Sequence, residues 1–265
     1  MTIAPSPHPR VAFPPNWPAR IALTALAVYS LYACSVLDIT WSRFIAGIGH
    51  GERFISRMVP PNVAPDKLEL LYNGMVESLQ IAIVATVVGV ALSLPLGLAA
   101  ARNLSPLPLA WAVRALIALF RTFHPVIVAI LFVKAVGFGA LAGMLALIVA
   151  SLGFLSKLIA EAVEEMSMKP VEAVRATGAP FLSVIVMSVM PQVLARFIGF
   201  SAYQLDSNLR NSALVGLVGG GGIGATLFTA FQRFDYDFVL TIVLAIIATV
   251  MVGEIISGWT RRLFQ

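Results

Sequence analysis

The strongest constraint on this chain is a set of stretches without charged residues, each long enough to cross a lipid bilayer. Three of them cover residues 78–101, 135–156 and 211–232. A transmembrane helix needs about 20 consecutive, mostly apolar residues, whereas the strands of a membrane β-barrel alternate apolar and polar residues. The sequence therefore predicts an all-α, polytopic membrane protein.

Composition and charge agree with this class. Of the 265 residues, 59% are hydrophobic and only 12% are charged, about half the charged share of an ordinary soluble protein. The net charge of +5 comes from basic residues that stand singly between apolar stretches, which is typical of topology signals and not of a nucleic-acid surface. The single cysteine, Cys34, excludes an internal disulfide.

The apolar pattern predicts about six transmembrane helices, joined by short connections except at two places. Residues 38–71 are predicted to form an extracytoplasmic loop with short interfacial helices. Residues 161–191 are amphipathic at first and interrupted by proline later, so we expect them not to span. We divide the chain into residues 1–72 (tail, first helix and loop) and the main transmembrane domain, 73–265. The predicted helices are 20–37, 73–101, 109–133, 138–157, 192 to the glycines at 219, and 238–261.

Six spans place both termini on the same side of the membrane. The basic residues Arg10, Arg20, Arg261 and Arg262 predict that this side is the cytoplasm. The first apolar stretch ends without a small-residue cleavage site, so we expect it to be retained as a helix. Residues 161–191 are then cytoplasmic as well.

A short motif lies in this cytoplasmic segment. The chain has Glu172-Ala-Val-Arg-Ala-Thr-Gly178, and Pro191 follows thirteen residues after the glycine. By itself the motif also fits a surface helix ended by glycine. The complete spacing, however, resembles the EAA loop of binding-protein-dependent ABC importer permeases, whose loop is a coupling helix that docks into the ATPase subunit. The resemblance implies that the ATPase-coupling residues are Glu172, Ala173, Arg175, Ala176, Gly178 and Pro191.

A second stretch narrows the resemblance. Residues 203–224 (YQLDSNLRNSALVGLVGGGGIG) resemble the phosphonate-type permeases, and residues 93–103, 129–137 and 155–164 are similar to them too. The resemblance implies a type I ABC importer permease fold and the import of phosphonate, phosphite or hypophosphite. The chain departs from the family's usual residues at Leu205, Asp206, Asn211 and His124-Pro125.

The same resemblance implies partners. These are a second permease copy, expected to make a homodimer, two ATP-binding cassette subunits, and a periplasmic or lipid-anchored solute-binding protein. The complex would lie in the bacterial inner membrane, in contact with lipid, and would bind no nucleic acid.

Polar residues are densest just before the glycines, and charged groups at membrane depth need a partner or a watery pathway. We therefore predict a translocation pathway here, with Arg210 as a donor for phosphorus oxyanions. Alternatively, Asp206 and Arg210 form a structural pair, four residues apart on one helix. The four glycines fit a bend or re-entrant element, and their amides could also contact an oxyanion. The predicted pathway residues are Tyr203, Asp206, Ser207, Asn208, Arg210, Asn211, Ser212, Gly219, Gly220, Gly221 and Gly222.

Two other positively charged residues, Arg114 and Arg121, lie seven residues apart on the helix predicted at 109–133. Arg114 can snorkel towards the nearer helix end. Arg121 is deeper, and either adds positive potential to the pathway or pairs with an acid such as Glu77.

The chain contains no ATP-binding motif, because no lysine followed by serine or threonine comes after the glycines. We therefore expect no cofactor in this chain, with ATP and Mg bound by partner subunits. The three histidines lie in unrelated segments, which predicts no metal site. The competing functions are an intramembrane lipid-phosphate-processing enzyme and an importer permease for another small solute. The enzyme would need clustered acids or histidines, and here they are scattered. We therefore expect a transport subunit and not an enzyme.

Overall fold

The computed structural model describes residues 16–37 and 40–264, with side chains up to residue 258. The predicted tail at 1–15, including Arg10, lies outside the described residues, as do the side chains of Arg261 and Arg262. The described residues are helical, with short connections and no strand. Five helices are long and apolar enough to span a membrane, or six if one bent pair counts as a span. This agrees with the predicted fold class.

The chain divides into two units, between residues 56 and 57. The first contains α1, Trp17–Val36, and most of α2, Trp41–Met58. A helix thus lies in the predicted loop, and its place at the membrane interface stays a prediction. The second unit contains nine further helices, the first of which already includes residue 73. They are α3, Pro65–Ala100; α4, Leu107–Thr122; α5, Pro125–Val136; α6, Ala140–Glu164; α7, Lys169–Ala176; α8, Phe181–Val184; α9, Met190–Leu217; α10, Gly222–Gln232; and α11, Tyr236–Phe264.

Helices α3 and α6 form the centre of the second unit and have the most extensive contact of any helix pair described. They approach closely because small residues meet along the contact. A Cβ added to Gly89 would lie 2.6 Å from the Cβ of Ser151, and one added to Gly97 would lie 2.6 Å from Ile159 Cγ2. Close packing of small residues is the usual way that helices associate without a hydrophobic driving force.

The prediction of one helix at 109–133 is wrong. The structure has α4 and α5, bent by 90° at Phe123 and His124. The cause is Pro125, which lacks an N–H and forces the preceding residue into extended backbone. His124 has φ −69° and ψ 140°, and its Nδ1 accepts a hydrogen bond from Val126 N at 3.4 Å as the N-cap of α5.

The predicted start of a helix at 192 is also wrong. Helical backbone begins at Phe181 and runs through α8, a π-helical turn at Ile185–Val189, and α9. Pro191 lies inside this run and does not interrupt it, since the wider turn accommodates a residue that donates no hydrogen bond. The Gln192 side chain donates to Ser188 O at 2.7 Å, which adds a hydrogen bond at this irregular turn.

The glycine run produces the predicted bend between α9 and α10. Gly219, Gly221 and Gly222 have positive φ angles of 98°, 78° and 71°, which residues with a Cβ rarely adopt. The carbonyl of Gly220 also packs directly against Gly143 of α6, where a side chain would clash. The 11-residue α10 is about 16 Å long, too short to cross a bilayer core of about 30 Å.

Candidate functional site

Helix α7 lies at the end of the bundle where α3, α6 and α11 finish and α4 and α9 begin. We call this the α7 end. Val171 is fully buried and anchors the helix in a cluster with Leu155, Val163 and Val184. The other face is uncovered within the described chain. The exposed residues on it are Glu172, Ala173, Arg175 and Ala176.

Gly178 ends the turn after α7. Its φ is +77°, and a Cβ added there would meet no atom within 4 Å. Its N–H donates to Arg175 O at 3.0 Å, as expected for a glycine that follows a helix C-terminus. The residue is therefore required for backbone conformation and not for packing within this chain. Pro191, the last motif residue, is exposed and lies in α9, not in α7.

The segment that leads into α7 is attached to α9. Gln192 accepts a hydrogen bond from Ser167 N at 3.2 Å and donates to Ser167 O at 3.3 Å. An ion pair joins Arg196 Nη1 to Glu165 Oε2 at 2.6 Å. Two contacts therefore connect the start of α7 to the same helix that carries the predicted pathway residues.

A second attachment at the α7 end was not predicted from the sequence. Glu164 Oε1 accepts hydrogen bonds from Arg102 N at 2.8 Å and from Arg114 Nη2 at 2.6 Å. Arg114 Nε also donates to Ala100 O at 2.9 Å. These bonds join the ends of α3 and α6 to α4, and they show that Arg114 is paired and does not simply snorkel.

Polar residues on one face of α9 form a buried network. Asn208 is fully buried, and its amide donates to Thr86 Oγ1 at 2.9 Å and to Ser151 Oγ at 3.2 Å. Gln204 donates to Asn208 Oδ1 at 3.0 Å and to Ser151 Oγ at 2.9 Å. Ser212 on the same face is buried and donates to Leu209 O. These side chains connect α9 to α3 and α6 inside the subunit.

Gln204, Thr86 and Ser151 were not among the predicted site residues. The signal for Gln204 was its spacing of four residues from Asn208, which places two amides on one helix face. No comparable signal existed for Thr86 and Ser151, because single hydroxyl residues are common in apolar helices.

Another strip of α9, which lies beside the buried network and which we call the open face, carries Tyr203, Ser207, Arg210 and Asn211. Tyr203 and Arg210 are exposed within the described chain, and Ser207 and Asn211 are half-buried. Asn211 donates to Ser207 Oγ at 3.3 Å. Tyr203 packs on Phe154 of α6, with ring centroids 5.5 Å apart. The predicted pathway residues thus divide between a buried face and an open face.

Asp206 and Arg210 form the predicted ion pair, with Asp206 Oδ2 2.7 Å from Arg210 Nη2. The two side chains differ in burial, since 7% of the aspartate is exposed and 42% of the arginine. Asp206 Oδ1 has no hydrogen-bond partner among the described residues. The arginine therefore belongs to the open face and the aspartate to the interior.

The glycine run lies against α3 and α6, and its amides are largely used within the fold. Gly219 N donates to Gly216 O at 3.0 Å and Gly220 N to Val215 O at 3.1 Å. Ile223 N donates to Ser78 Oγ at 2.9 Å. The idea that amides of Gly219 and Gly220 contact an oxyanion is therefore wrong, because an N–H satisfied in this way has no free donor.

Among the described residues, no group of three or more His, Cys, Asp or Glu side chains could hold a metal ion. The densest polar set consists of amides, hydroxyls and one ion pair, without a nucleophile and general base together. Such groups can bind and release an anion, but they cannot activate it for a chemical reaction.

The fold defines a multi-pass α-helical membrane protein with one exposed helix at the end of its bundle. Residues 93–265 match the family described as binding-protein-dependent transport system inner membrane component. The chain belongs to this family, whose members are membrane subunits of ABC importers and not enzymes. The family predicted from the motifs at 172–191 and 203–224 is confirmed.

Two relatives illustrate the likeness. The chain is 40% identical over 252 residues to the phosphate-import permease protein PhnE of Mycolicibacterium smegmatis, with 92% of this chain and 46% of the relative covered. It is 40% identical over 192 residues to the phosphite transport system permease protein PtxC of Stutzerimonas stutzeri, with 72% and 70% covered. The chain thus spans just under half the length of the mycobacterial relative.

Solved structures share the fold at low sequence identity. A chain of the MetNI methionine ABC transporter, in an inward facing conformation, has a TM-score of 0.67 at 22% identity, with 77% of this chain and 100% of that chain covered. A bacterial ABC transporter involved in import of the acidic polysaccharide alginate has a TM-score of 0.55 at 15% identity, with 92% and 98% covered. These likenesses extend to the architecture alone.

Proposed function

We propose that this chain forms the translocation pathway of an ATP-driven importer for a phosphorus oxyanion. Two copies would pair in the bacterial inner membrane, with two ATP-binding cassette subunits and a solute-binding protein. The α7 end and both termini would face the cytoplasm. ATP and Mg would be bound by the cassette subunits.

The observation that carries the proposal is α7. A helix of eight residues is too short to be stable by itself, and here it is kept in place by Val171 and by the contacts of its leading segment. Its exposed face is made of alanines and two opposite charges, Glu172 and Arg175. Such a face permits close approach of a partner surface and adds electrostatic complementarity.

The contacts of α7 also suggest how the motion of a docked ATPase would be transmitted. A displacement of α7 pulls on Ser167 and Glu165, which are bonded to Gln192 and Arg196 at the start of α9. Because helical backbone runs from Phe181 through the π-helical turn and α9 to Leu217, this segment would move as one rigid element. The open face would then shift relative to the partner copy.

The open face of α9 supports a pathway role. Polar and ionisable side chains within a membrane face a bundle interior or a water-filled cavity, because exposure to lipid is costly. Within the described chain, Tyr203 and Arg210 are exposed, and Ser207 and Asn211 are half-buried. A second permease copy would cover this face and enclose an aqueous route between the two subunits.

The substrate class is suggested by the relatives and by Arg210. The two relatives described above carry phosphate import and phosphite transport in their names. A guanidinium binds two oxygens of such an anion with two parallel hydrogen bonds. The negative charge of Asp206 would lower the affinity of Arg210 for the anion, so that the anion can be released. The phosphonate, phosphite and hypophosphite predicted from the sequence belong to the same class.

A different small solute is the second candidate. The chain is 30% identical over 207 residues to the probable D-methionine transport system permease protein MetI of Vibrio cholerae, with 73% of this chain and 92% of the relative covered. The test is ATP hydrolysis by the reconstituted importer complex with its binding protein. Stimulation by phosphite, methylphosphonate or phosphate and not by D-methionine is expected. The reverse selectivity would contradict the proposed substrate class.

Two matched glycines test the docking role of α7. Gly178 and Gly137 both follow a helix C-terminus, have positive φ (77° and 93°) and have no atom within 4 Å of an added Cβ. Gly178→Leu should therefore lower stability by about 1 kcal/mol or more of backbone strain. Gly137, with φ 93° and ψ 174°, lies in a region that is essentially restricted to glycine, so Gly137→Leu should lower stability at least as much. Only Gly178→Leu is expected to abolish coupling of ATP hydrolysis to uptake, with membrane insertion retained. Equal uptake by both variants would contradict the docking assignment.

A further inference from the structure

A second positively charged site lies between α4 and α6, next to the contacts of Arg114. The cleft between these helices has a volume of about 170 Å³. This is smaller than the 300 Å³ or more typical of sites for drug-sized ligands, and is suited to one small polar group. We call it the α4–α6 cleft. Its lining includes Arg114, Ile117, Arg121, Lys157, Ala160 and Glu161.

The cleft has an excess of positive charge that is concentrated on one residue. Lys157 Nζ lies 3.3 Å from Glu161 Oε1, and Arg114 is paired with Glu164. The guanidinium of Arg121, in contrast, has no ion pair or hydrogen bond with any residue that the structure describes. Its five N–H donors are therefore free for a ligand. The alternative pairing with Glu77 is not observed.

Arg121 lies one residue before the end of α4 and packs against α6. A Cβ added to Gly153 would be 2.9 Å from Arg121 Cγ and 3.0 Å from Arg121 N. Gly153 precedes Glu164, the last residue of α6, by eleven positions, or about 16 Å at 1.5 Å per residue. Arg121 is therefore about three helical turns from the α7 end, and its side chain is exposed within the described chain.

One contact relates this part of α6 to the open face of α9. Phe154, the residue after Gly153, packs on Tyr203. The positive residues Arg210, Arg121 and Lys157 lie on α9, α4 and α6, respectively. Of these three, Arg121 alone has no acidic partner among the described residues.

We propose that the α4–α6 cleft binds a tetrahedral phosphorus oxyanion group, with Arg121 as its main donor. A planar guanidinium binds two oxygens of such a group at once, and Lys157 adds charge at the rim. The group can come from the transported anion or from the head group of an anionic phospholipid. The first source rests on the proposed function, while the second does not.

Two binding measurements, which form the two arms of the test, distinguish the transported anion from the lipid head group. Both use the intact importer complex in nanodiscs without the binding protein. In phosphatidylcholine discs, phosphite and phosphate are titrated and the thermal midpoint gives an apparent Kd. In discs that contain phosphatidylglycerol, native mass spectrometry counts the retained anionic lipid. Each arm compares wild type with Arg121→Gln, Arg121→Lys and Arg233→Gln. Arg233, exposed at the other end of the bundle, is the matched control.

In the arm that contains the ligand of the cleft, whether free anion or lipid, Arg121→Gln should weaken binding about tenfold or more. This is the effect expected for the loss of a charged hydrogen bond. Arg121→Lys should keep part of the affinity, and Arg233→Gln all of it. Binding that does not depend on Arg121 in either arm overturns the proposal, as does an equal loss in Arg233→Gln. Lower stability of Arg121→Gln with unchanged affinity would also overturn it, since Arg121 would then serve only as a last-turn cation of α4.

Uptake by the wild-type complex keeps this result distinct from the proposed function. If the wild-type complex imports the oxyanion and Arg121→Gln binds its ligand with unchanged affinity, the proposal for the cleft is wrong and the proposed function stands. If the wild-type complex imports no oxyanion but retains anionic lipid in a way that depends on Arg121, the proposed substrate is wrong and the proposal for the cleft is supported.

Discussion

The two faces of α9 carry similar residues and have different surroundings. Asn208 and Asn211 are separated by less than one helical turn, yet Asn208 is fully buried with three hydrogen bonds to side chains of Gln204, Thr86 and Ser151. Asn211 lies on the open face with one bond, to Ser207. Polar residues inside a membrane protein can therefore serve two different purposes. The residue type alone does not show which purpose a given residue serves. The buried network joins α9 to α3 and α6, whereas the open face is the one for which we propose a pathway role.

The largest expected effect comes from replacing the buried amide. Asn208→Leu removes three hydrogen bonds and leaves Gln204 without its acceptor on Asn208, which should cost about 2–3 kcal/mol at about 0.6–1 kcal/mol per bond. Thermal unfolding of the purified complex measures this loss. Asn211→Leu is the matched variant and should stay within about 0.5 kcal/mol of wild type while lowering uptake. If both variants unfold alike, the two faces do not differ as described.

The ion pair between Asp206 and Arg210 should show the next largest effect. Arg210→Ala leaves the buried carboxylate of Asp206 unpaired and should destabilise the subunit by about 1–3 kcal/mol. Adding Asp206→Ala removes that charge and should restore folding, but not uptake, because the open face still lacks its cation. Arg210→Lys should retain part of the flux. Full uptake by the double variant would show that Arg210 has only a structural role.

Chemical labelling gives a smaller but direct contrast. Single cysteines at Ser207 and Asn211 should react with a water-soluble maleimide at rates that change with the nucleotide state. A cysteine at Ser212, which is buried and faces the interior, should remain protected throughout, and the native Cys34 would be replaced in every variant. Reaction at Ser212 that equals that at Ser207 would argue against an interior position for this residue.

The smallest effect is expected for Ser207→Ala. This substitution removes the acceptor of one long hydrogen bond on a half-exposed side chain, so stability should change by less than about 0.5 kcal/mol. The affinity of transport for the oxyanion should change by less than about threefold. A loss as large as that of Asn208→Leu would place Ser207 within the buried network.

Much of the fold follows from the sequence because bilayer thickness sets the length of spanning helices. The helices predicted at 73–101, 138–157 and 238–261 all appear in the structure, although α3 begins eight residues earlier and α6 ends seven residues later than predicted. The bend at Pro125 and the π-helical turn before Pro191 were missed. The effect of a proline in a membrane helix depends on whether neighbouring groups such as Gln192 can satisfy the freed backbone, and these neighbours are known only from the tertiary structure.

The sequence by itself determined the class of protein and the family that the motifs at 172–191 and 203–224 indicate. Only the tertiary structure decided which polar residues face inward, that Arg114 is paired with Glu164 and Arg121 with no described acid, and that the amides of Gly219 and Gly220 are already bonded. The physical reason is that lipid-facing and core-facing positions of a membrane helix are both apolar. Helical periodicity therefore shows which residues share a face, such as Gln204 and Asn208, while the packing of α3 and α6 determines which face is covered.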